Sequence, residues 1–241
     1  MKQMNEYIRK AIVVVIGAGI CLSACKKGRI TYTASGSINI TNAMQDGAIL
    51  SLDSFSVPIA NQYNMVAMLP AGQNTIDLFV PATPATTTTA ALPAVTYYDQ
   101  SLMVADGGNY SLFLTGTYPR VDTVLIDETY TSYSDSVFGV RFINLSTGSN
   151  PVSADIQGNA NGSEISSLAY LAYSPFKQYP AGIAVQSYAF EVRDAQTGNL
   201  ITTYTLSPYA FQHVTLALTG PAGGSQRILQ VNDFTAGNTV Y

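Results

Sequence analysis

Residue types that perform catalysis or hold transition metals are scarce in this chain. It contains one histidine, His213, and two cysteines, Cys21 and Cys25, which both lie near the amino terminus. A Ser-His-Asp site needs its histidine, a nucleophile elbow needs a Gly-x-Ser-x-Gly run that does not occur, and zinc usually needs several His or Cys ligands. His213 alternates with Val214 and Leu216, so we expect a solvated histidine on the outer face of a strand. The sequence therefore predicts no catalytic residue, no metal site and no cofactor.

Carboxylates are the remaining candidates, because calcium needs only oxygen ligands. Asp122, Asp127 and Glu128 lie close together in the chain, and Asp194 sits in a turn signal. None of them follows a calcium-loop spacing, and two strand residues five apart face opposite ways. We predict solvated turn and edge carboxylates, while a carboxylate pair for glycoside hydrolysis stays open.

Tyrosine is abundant, with sixteen residues, and tryptophan is absent. Tyrosine rings form platforms for sugars and peptides, so a binding face is one interpretation. Tyrosine is also a good strand former that packs its ring and keeps its hydroxyl in water, which is the interpretation we favour. The absence of tryptophan weakens the carbohydrate version of a binding face.

Cys25 carries the most specific chemistry. The chain starts with a basic segment, continues with an uncharged apolar run over residues 11–22, and reaches Leu22-Ser23-Ala24-Cys25. The run is too short to cross a bilayer as a helix, which needs roughly 20 residues, and the pattern is typical of an export signal. The last four residues match a lipobox, whose cysteine thiol is acylated before cleavage. We predict a signal peptide over residues 1–24, a lipid on Cys25 and a tether over residues 25–29; an ordinary signal peptide with an incidental cysteine is the alternative.

The charge distribution excludes one class of partner. From Ile30 onward only five residues are basic, and they are scattered. Because nucleic-acid binding needs a basic surface that neutralises phosphates, we expect no nucleic-acid partner. The expected partners are the membrane, through the lipid, and an unknown protein or glycan. We expect a cell-envelope location on the outer membrane, facing the periplasm or exposed at the surface.

Two tripeptides suggest a modification. Asp122-Thr123-Val124 and Asp135-Ser136-Val137 are similar to Asp-Ser/Thr-apolar sites that some Gram-negative bacteria O-glycosylate. Thr123 and Ser136 are therefore candidate glycosylation sites, although so short a pattern also arises by chance.

Alternation of apolar and polar residues, separated by Gly and Asn turn signals, predicts an all-β fold. Ser37 to Thr41 alternates, as does Tyr188 to Arg193, and the nearest candidate for a helix, residues 163–173, reads equally well as a strand. A Thr/Pro/Ala tract over residues 81–93 predicts an exposed loop.

The chain also repeats itself. Leu69-Pro70-Ala71-Gly72 recurs as Tyr179-Pro180-Ala181-Gly182, and Ser111 to Gly116 recurs as Thr215 to Gly220. We therefore predict two tandem immunoglobulin-like β-sandwiches. Their bounds are residues 30–128 and 138–234, with a linker over residues 129–137 and a tail over residues 235–241.

One stretch resembles a known family. Residues 138–146 (FGVRFINLS), the segment Val152 to Gly158 and the Pro180-Ala181-Gly182 turn are similar to the domain-of-unknown-function family numbered 4397. The resemblance covers the second unit well and the first loosely. It implies tandem Ig-like domains in exported proteins and lipoproteins of Gram-negative bacteria, and it implies no catalytic residue.

These observations favour a non-enzymatic, membrane-anchored module for interaction or adhesion, which uses edge strands and loops as its contacts. The alternative is a carbohydrate-binding accessory lipoprotein of a glycan-uptake system. An enzyme of unrecognised type would need a polar pocket that holds a carboxylate with a strongly perturbed pKa.

Overall fold

The computed structural model describes residues 33–53, 57–88, 90–133, 136–182 and 184–233. These residues contain strands and turns and no helix, so the all-β prediction is confirmed. The predicted signal peptide, Cys25, the tether and the tail lie outside the described residues. No helix within the described ranges has the length and apolar character needed to cross a membrane.

The described residues form fifteen strands, which follow one another along the chain. The first half, residues 35–128, contains seven: β1 (Ser35–Met44), β2 (Ser51–Leu52), β3 (Tyr63–Pro70), β4 (Gly72–Val80), β5 (Val95–Val104), β6 (Asn109–Thr117) and β7 (Arg120–Glu128). The second half, residues 137–233, contains eight: β8 (Val137–Asn144), β9 (Val152–Ile156), β10 (Ile165–Leu168), β11 (Lys177–Pro180), β12 (Tyr188–Asp194), β13 (Leu200–Leu206), β14 (His213–Thr219) and β15 (Arg227–Asp233).

Each half contains two sheets. The first inner sheet has the order β3-β1-β6-β7 and the first outer sheet β2-β4-β5. The second inner sheet has the order β11-β8-β14-β15 and the second outer sheet β10-β9-β12-β13. One apolar cluster fills the space between the sheets of each half, and a third cluster joins the two inner sheets. The layers therefore follow one another as outer, inner, inner and outer.

The two halves have the same strand plan. In both, an inner strand pairs in parallel with a strand near the end of that half: Ile40 of β1 stands beside Leu112 of β6, and Phe142 of β8 stands beside Leu216 of β14. The repeated segments noticed in the sequence therefore occupy equivalent strands.

Two equivalent asparagines fasten the ends of β1 and β8. The Nδ2 of Asn42 donates to the carbonyls of Ala48 and Ile59, and its Oδ1 accepts from a backbone N–H two residues on. Asn144 does the same with the carbonyl of Leu168 and the N–H of Ser146. Both asparagines are buried, so these bonds satisfy backbone groups that water does not reach.

The described residues from Ala34 to Asp233 belong to one compact unit. β1, β6, β8 and β14 are buried along almost their whole lengths, because each inner sheet is covered on both faces. The alternation of Ser37 to Thr41 therefore does not expose its polar side, as a single sandwich would. The division into two separate domains at residues 129–137 stays a prediction.

Other local predictions are confirmed. Residues 81–88 and 90–93 of the Thr-rich tract are exposed, and one bridge between Thr83 and Leu92 closes the loop. Phe190 and Val192 of β12 face the second core, as their alternation indicated. Of the ambiguous segment 163–173, residues Ile165–Leu168 form a strand.

Candidate functional site

The residues singled out in the sequence do not come together. Cys25 lies outside the described residues. Thr123 is half-buried in β7, paired with Leu114 of β6, whereas Ser136 is exposed just before β8. Lipidation and O-glycosylation therefore stay predictions.

The prediction for His213 is wrong. The histidine does face away from the core of its own half, but two tyrosines of the segment 129–137 and Phe176 pack on it, so only 4% of the residue is exposed. The rings of Tyr133, Tyr130 and Phe176 lie 4.3, 4.8 and 5.0 Å from the imidazole centroid. Burial lowers the pKa of His213, because the charged form would lose its hydration.

Glu128 was also expected in solvent and is buried. The Arg141 side chain is 2% exposed and binds both carboxylate oxygens of Glu128 through its two terminal nitrogens. Its Nε donates to the hydroxyl of Thr215 at 2.7 Å, and that hydroxyl donates to Asp233. Burial is the largest cause that raises the pKa of Asp233 to about 7, against the lowering effect of Arg141.

This buried ionic cluster joins the two halves, since Glu128 ends β7 and Arg141 and Asp233 belong to β8 and β15. Asp233 has the strongly perturbed pKa that an enzymatic site would show. However, it is 2% exposed and does not line the solvent-open groove beside β10. We therefore assign this cluster to the packing of the two inner sheets.

A groove of roughly 610 Å³ opens along one side of the second half. One wall is β10, at the margin of the second outer sheet, and the other is the segment 173–179, at the margin of the second inner sheet. Val140, Phe142 and Leu168 of the second core form its floor. The groove therefore reaches from solvent to the core.

The first half has a closed edge at the equivalent place. β3 runs regularly along β1, and the positions that face inward are Met65, Ala67 and Leu69, opposite Ile40, Ile38 and Gly36. The second half places Ser174, Lys177 and Tyr179 opposite the equivalent residues Phe142, Val140 and Phe138. The inward positions of this edge are thus all apolar in the first half, whereas the second half has Ser174, Lys177 and the hydroxyl of Tyr179, whose ring packs in the second core.

The groove wall formed by residues 173–179 is not a regular strand, because it contains a β-bulge between Tyr173 and Lys177. Tyr173 pairs with Ile143 and Lys177 pairs with Val140, so the wall has one residue more than β8 opposite it. Pro175 lies in this bulge and has no N–H to donate to β8. The bulge bends the edge and redirects the side chains that follow it.

Glu164 provides the charge of the groove. Its side chain is 7% exposed, and one carboxylate oxygen accepts from Lys177 Nζ at 2.6 Å and from the Tyr179 hydroxyl at 2.5 Å. Burial and the bond to this carboxylate raise the pKa of Tyr179 above its usual range, so the phenol stays protonated and donates. Lys177 is 55% exposed and therefore accessible from the groove.

Aromatic rings and hydroxyls complete the lining. Tyr173 is 46% exposed, and Phe176 is half-buried beside it. The Arg141 guanidinium lies 4.5 Å from the centroid of Phe176 and 5.8 Å from that of Tyr173, and this stacking supports both rings from the protein side. Ser166 and Ser167 are exposed on β10.

The lining fits binding better than hydrolysis. A glycoside hydrolase uses two carboxyl groups across the scissile bond, and the residues that line this groove in the described chain include one, Glu164. Within the described ranges, no group of three or more His, Cys, Asp or Glu residues is placed to hold a metal ion. Asp122 accepts from the Tyr170 hydroxyl, and Asp194 from Asn150, so these carboxylates serve local structure.

Sequence reasoning missed Glu164 and Lys177 as a pair, because thirteen residues separate them. Tyr173 and Tyr179 were noticed only as part of the tyrosine content. The repeat was the available signal. When the two Pro-Ala-Gly turns are aligned, Lys177 takes the place of Ala67, and Tyr179 takes the place of Leu69.

Comparisons with known proteins give little. No protein-family model and no curated protein matches the chain, so the resemblance to the family numbered 4397 stays a prediction. Among solved structures, the chain is similar to CBMbc, a family CBM26 module from Eubacterium rectale in complex with maltoheptaose, at 11% identity and a TM-score of 0.26. That similarity covers 80% of this chain and 95% of the other. A TM-score this low does not establish a shared fold, and the maltoheptaose belongs to that protein alone.

Proposed function

We propose that this protein is a membrane-anchored lipoprotein of the cell envelope and that its β body is a non-enzymatic binding module. The ligand site is the groove between β10 and residues 173–179. The lipobox at Cys25 supports the anchor, and the groove supports the binding role.

The observation that carries the binding role is the contrast between the two edges. A sandwich gains stability by sealing its margin with apolar side chains, as the first half does with Ala67 and Leu69. The second half has Lys177 and Tyr179 at the same positions, arranged around a carboxylate that is almost buried. Polar groups that converge over an apolar floor are typical of ligand sites.

The ligand is a protein of the envelope in the adhesion role or a glycan in the accessory role. A protein segment that adds a strand needs a run of free backbone donors and acceptors. β10 has four residues with a register shift, and Pro175 and Pro180 interrupt the opposite wall. The walls of the groove therefore favour a glycan over an added strand.

Obstruction of the groove tests the proposed function. In Ser167→Trp the exposed serine of β10 is replaced by a bulky ring, and we expect loss of the envelope components that the wild-type lipoprotein retains in an affinity pull-down. Ser101→Trp, on an exposed position of β5, is the matched control and should retain them. Equal retention by both variants would show that the groove is not the binding site.

The anchor has its own test. We expect metabolic labelling with palmitate to tag the wild type and to leave Cys25→Ala untagged and released from the membrane fraction. Protease treatment of whole cells then separates a surface location from a periplasmic one. A wild-type product without label contradicts the lipoprotein assignment.

A further inference from the structure

We infer that the groove binds an uncharged glycan chain, with hydroxyl groups on Glu164 and Lys177 and a sugar ring on Tyr173. This inference rests on the proposed function and names the ligand class of the same site. The charge of the groove, the exposed ring of Tyr173 and the size and hydroxyls of the groove support it.

The charges of the groove cancel within hydrogen-bond distance. Glu164 and Lys177 are the charged side chains among the described lining residues, and they bind each other at 2.6 Å. An anionic ligand would meet the carboxylate, and a cationic ligand would meet the ammonium group. A sugar hydroxyl donates and accepts at once, so it can add to this pair without separating the two charges.

The ring of Tyr173 suits the apolar face of a sugar. A pyranose ring has a flat face of C–H groups, and the 46% exposed ring of Tyr173 offers an apolar plane at the groove mouth. The Arg141 guanidinium lies 5.8 Å from the centroid of this ring, and a bridge to Ile143 holds the backbone of Tyr173. A ring held in this way loses little conformational freedom on binding.

The volume and the hydroxyls agree with a short stretch of glycan. Small-molecule sites generally occupy about 300–1,000 Å³, and the groove holds roughly 610 Å³. Ser166 and Ser167 place two exposed hydroxyls on β10, whereas the Ser174 hydroxyl on the opposite wall accepts from Phe142 N–H and donates to the Pro175 carbonyl. The groove is open along its side, so a chain can extend beyond the bound units.

Tyrosine fluorescence of the full mature lipoprotein in detergent provides the test, because the chain has no tryptophan. The probes are hexasaccharides of glucose, mannose and xylose, with oligogalacturonate as the charged probe. We expect micromolar binding of at least one neutral probe and weaker binding of oligogalacturonate. Glu164→Gln and Tyr173→Ala should each weaken the neutral probe at least tenfold. Tyr63→Ala, an exposed tyrosine on the equivalent edge of the first half, should leave its affinity unchanged.

The outcomes are distinguishable from those of the pull-down. If no neutral probe binds while Ser167→Trp still loses a protein component, the ligand class is wrong and the binding role stands. If a neutral probe binds equally to Glu164→Gln and Tyr173→Ala, the site is wrong. If oligogalacturonate binds more tightly than every neutral probe, the charge argument is wrong. Circular dichroism of each variant confirms that the fold is retained.

Discussion

Buried charge is concentrated where the two halves meet. Arg141 of the second half binds Glu128 of the first half, and its guanidinium nitrogen lies 3.8 Å from a carboxylate oxygen of Asp233 in its own half. All three side chains are almost completely buried. Glu128 and Asp233 hold equivalent places in their halves, opposite Asn109 and His213. A buried ion pair contributes little net stability but costs several kcal/mol when one partner is lost, about 3–5 kcal/mol in measured cases. The cluster therefore contributes more to the alignment of the two inner sheets than to the net stability of the fold.

Asp233 makes stability depend on pH. Its pKa is raised by burial to about 7, whereas an unfolded aspartate titrates near about 3.9. Between these two values the folded state binds more protons than the unfolded state, so the contribution of Asp233 to stability falls as pH rises and levels off above about 7. Below both values the contribution does not change.

We expect Asp233→Asn to remove this dependence. The free energy of unfolding of wild type minus that of the variant should fall by more than about 1 kcal/mol between pH 5 and pH 8. Urea denaturation at the two pH values measures it. His213 is present in both proteins, so its own titration cancels in the difference. A difference that is constant or rises with pH contradicts the assigned pKa.

At the scale of the element, the edge strands show how one strand plan serves two purposes. β3 presents Met65, Ala67 and Leu69 to the first core. Its counterpart in the second half is broken by the bulge at Pro175 and continues as the short β11. The extra residue turns Lys177 and Tyr179 toward Glu164 on the neighbouring sheet margin. A sealed edge and an open groove thus differ by one bulge and a few side chains.

Exchange of residue types between Ala67 and the equivalent Lys177 tests whether the first edge is sealed and the second is open. Ala67 is 1% exposed, so Ala67→Lys places a charge against the first core and should lower the free energy of unfolding by at least about 2 kcal/mol. Lys177→Ala removes a half-exposed partner and should change it by less than about 1 kcal/mol. Chemical denaturation measures both variants. Similar losses in the two would show that the edges are equally sealed.

At the scale of the whole molecule, the two halves share a core. Phe113 and Ile126 of the first half pack with Ile143, Ala217 and Val231 of the second, and all of these residues are buried. Separation of the halves would expose this apolar surface and the ionic cluster together. The cost of that exposure couples the unfolding of one half to the unfolding of the other.

We expect a single cooperative unfolding transition. Since the chain has no tryptophan, Tyr98→Trp and Tyr204→Trp each report on the core of one half, where both tyrosines pack. The two fluorescence transitions in urea should have the same midpoint and should coincide with circular dichroism. Separate midpoints would show that the halves are independent domains.

Short windows of the amino-acid sequence were enough to predict the strand-rich fold and the repeat, and they also predict an export signal. These are local properties: alternation, turn residues and the lipobox are all legible within short windows of the chain. The Pro-Ala-Gly turns and the two copies of the β6-type strand were visible in the same way. The internal repeat therefore needed no coordinates.

Which strand faces are buried, and which distant residues come into contact, depends on the packing of the sheets. His213 and Glu128 have the pattern of solvated strand residues, but both are buried. Aromatic rings outside the strands cover His213, and Arg141 of the other half covers Glu128. The groove pair Glu164 and Lys177 comes together across two sheets through a bulge that no periodicity marks. Alternation reports that a strand has two different faces, whereas the packing of one half on the other determines what each face contacts.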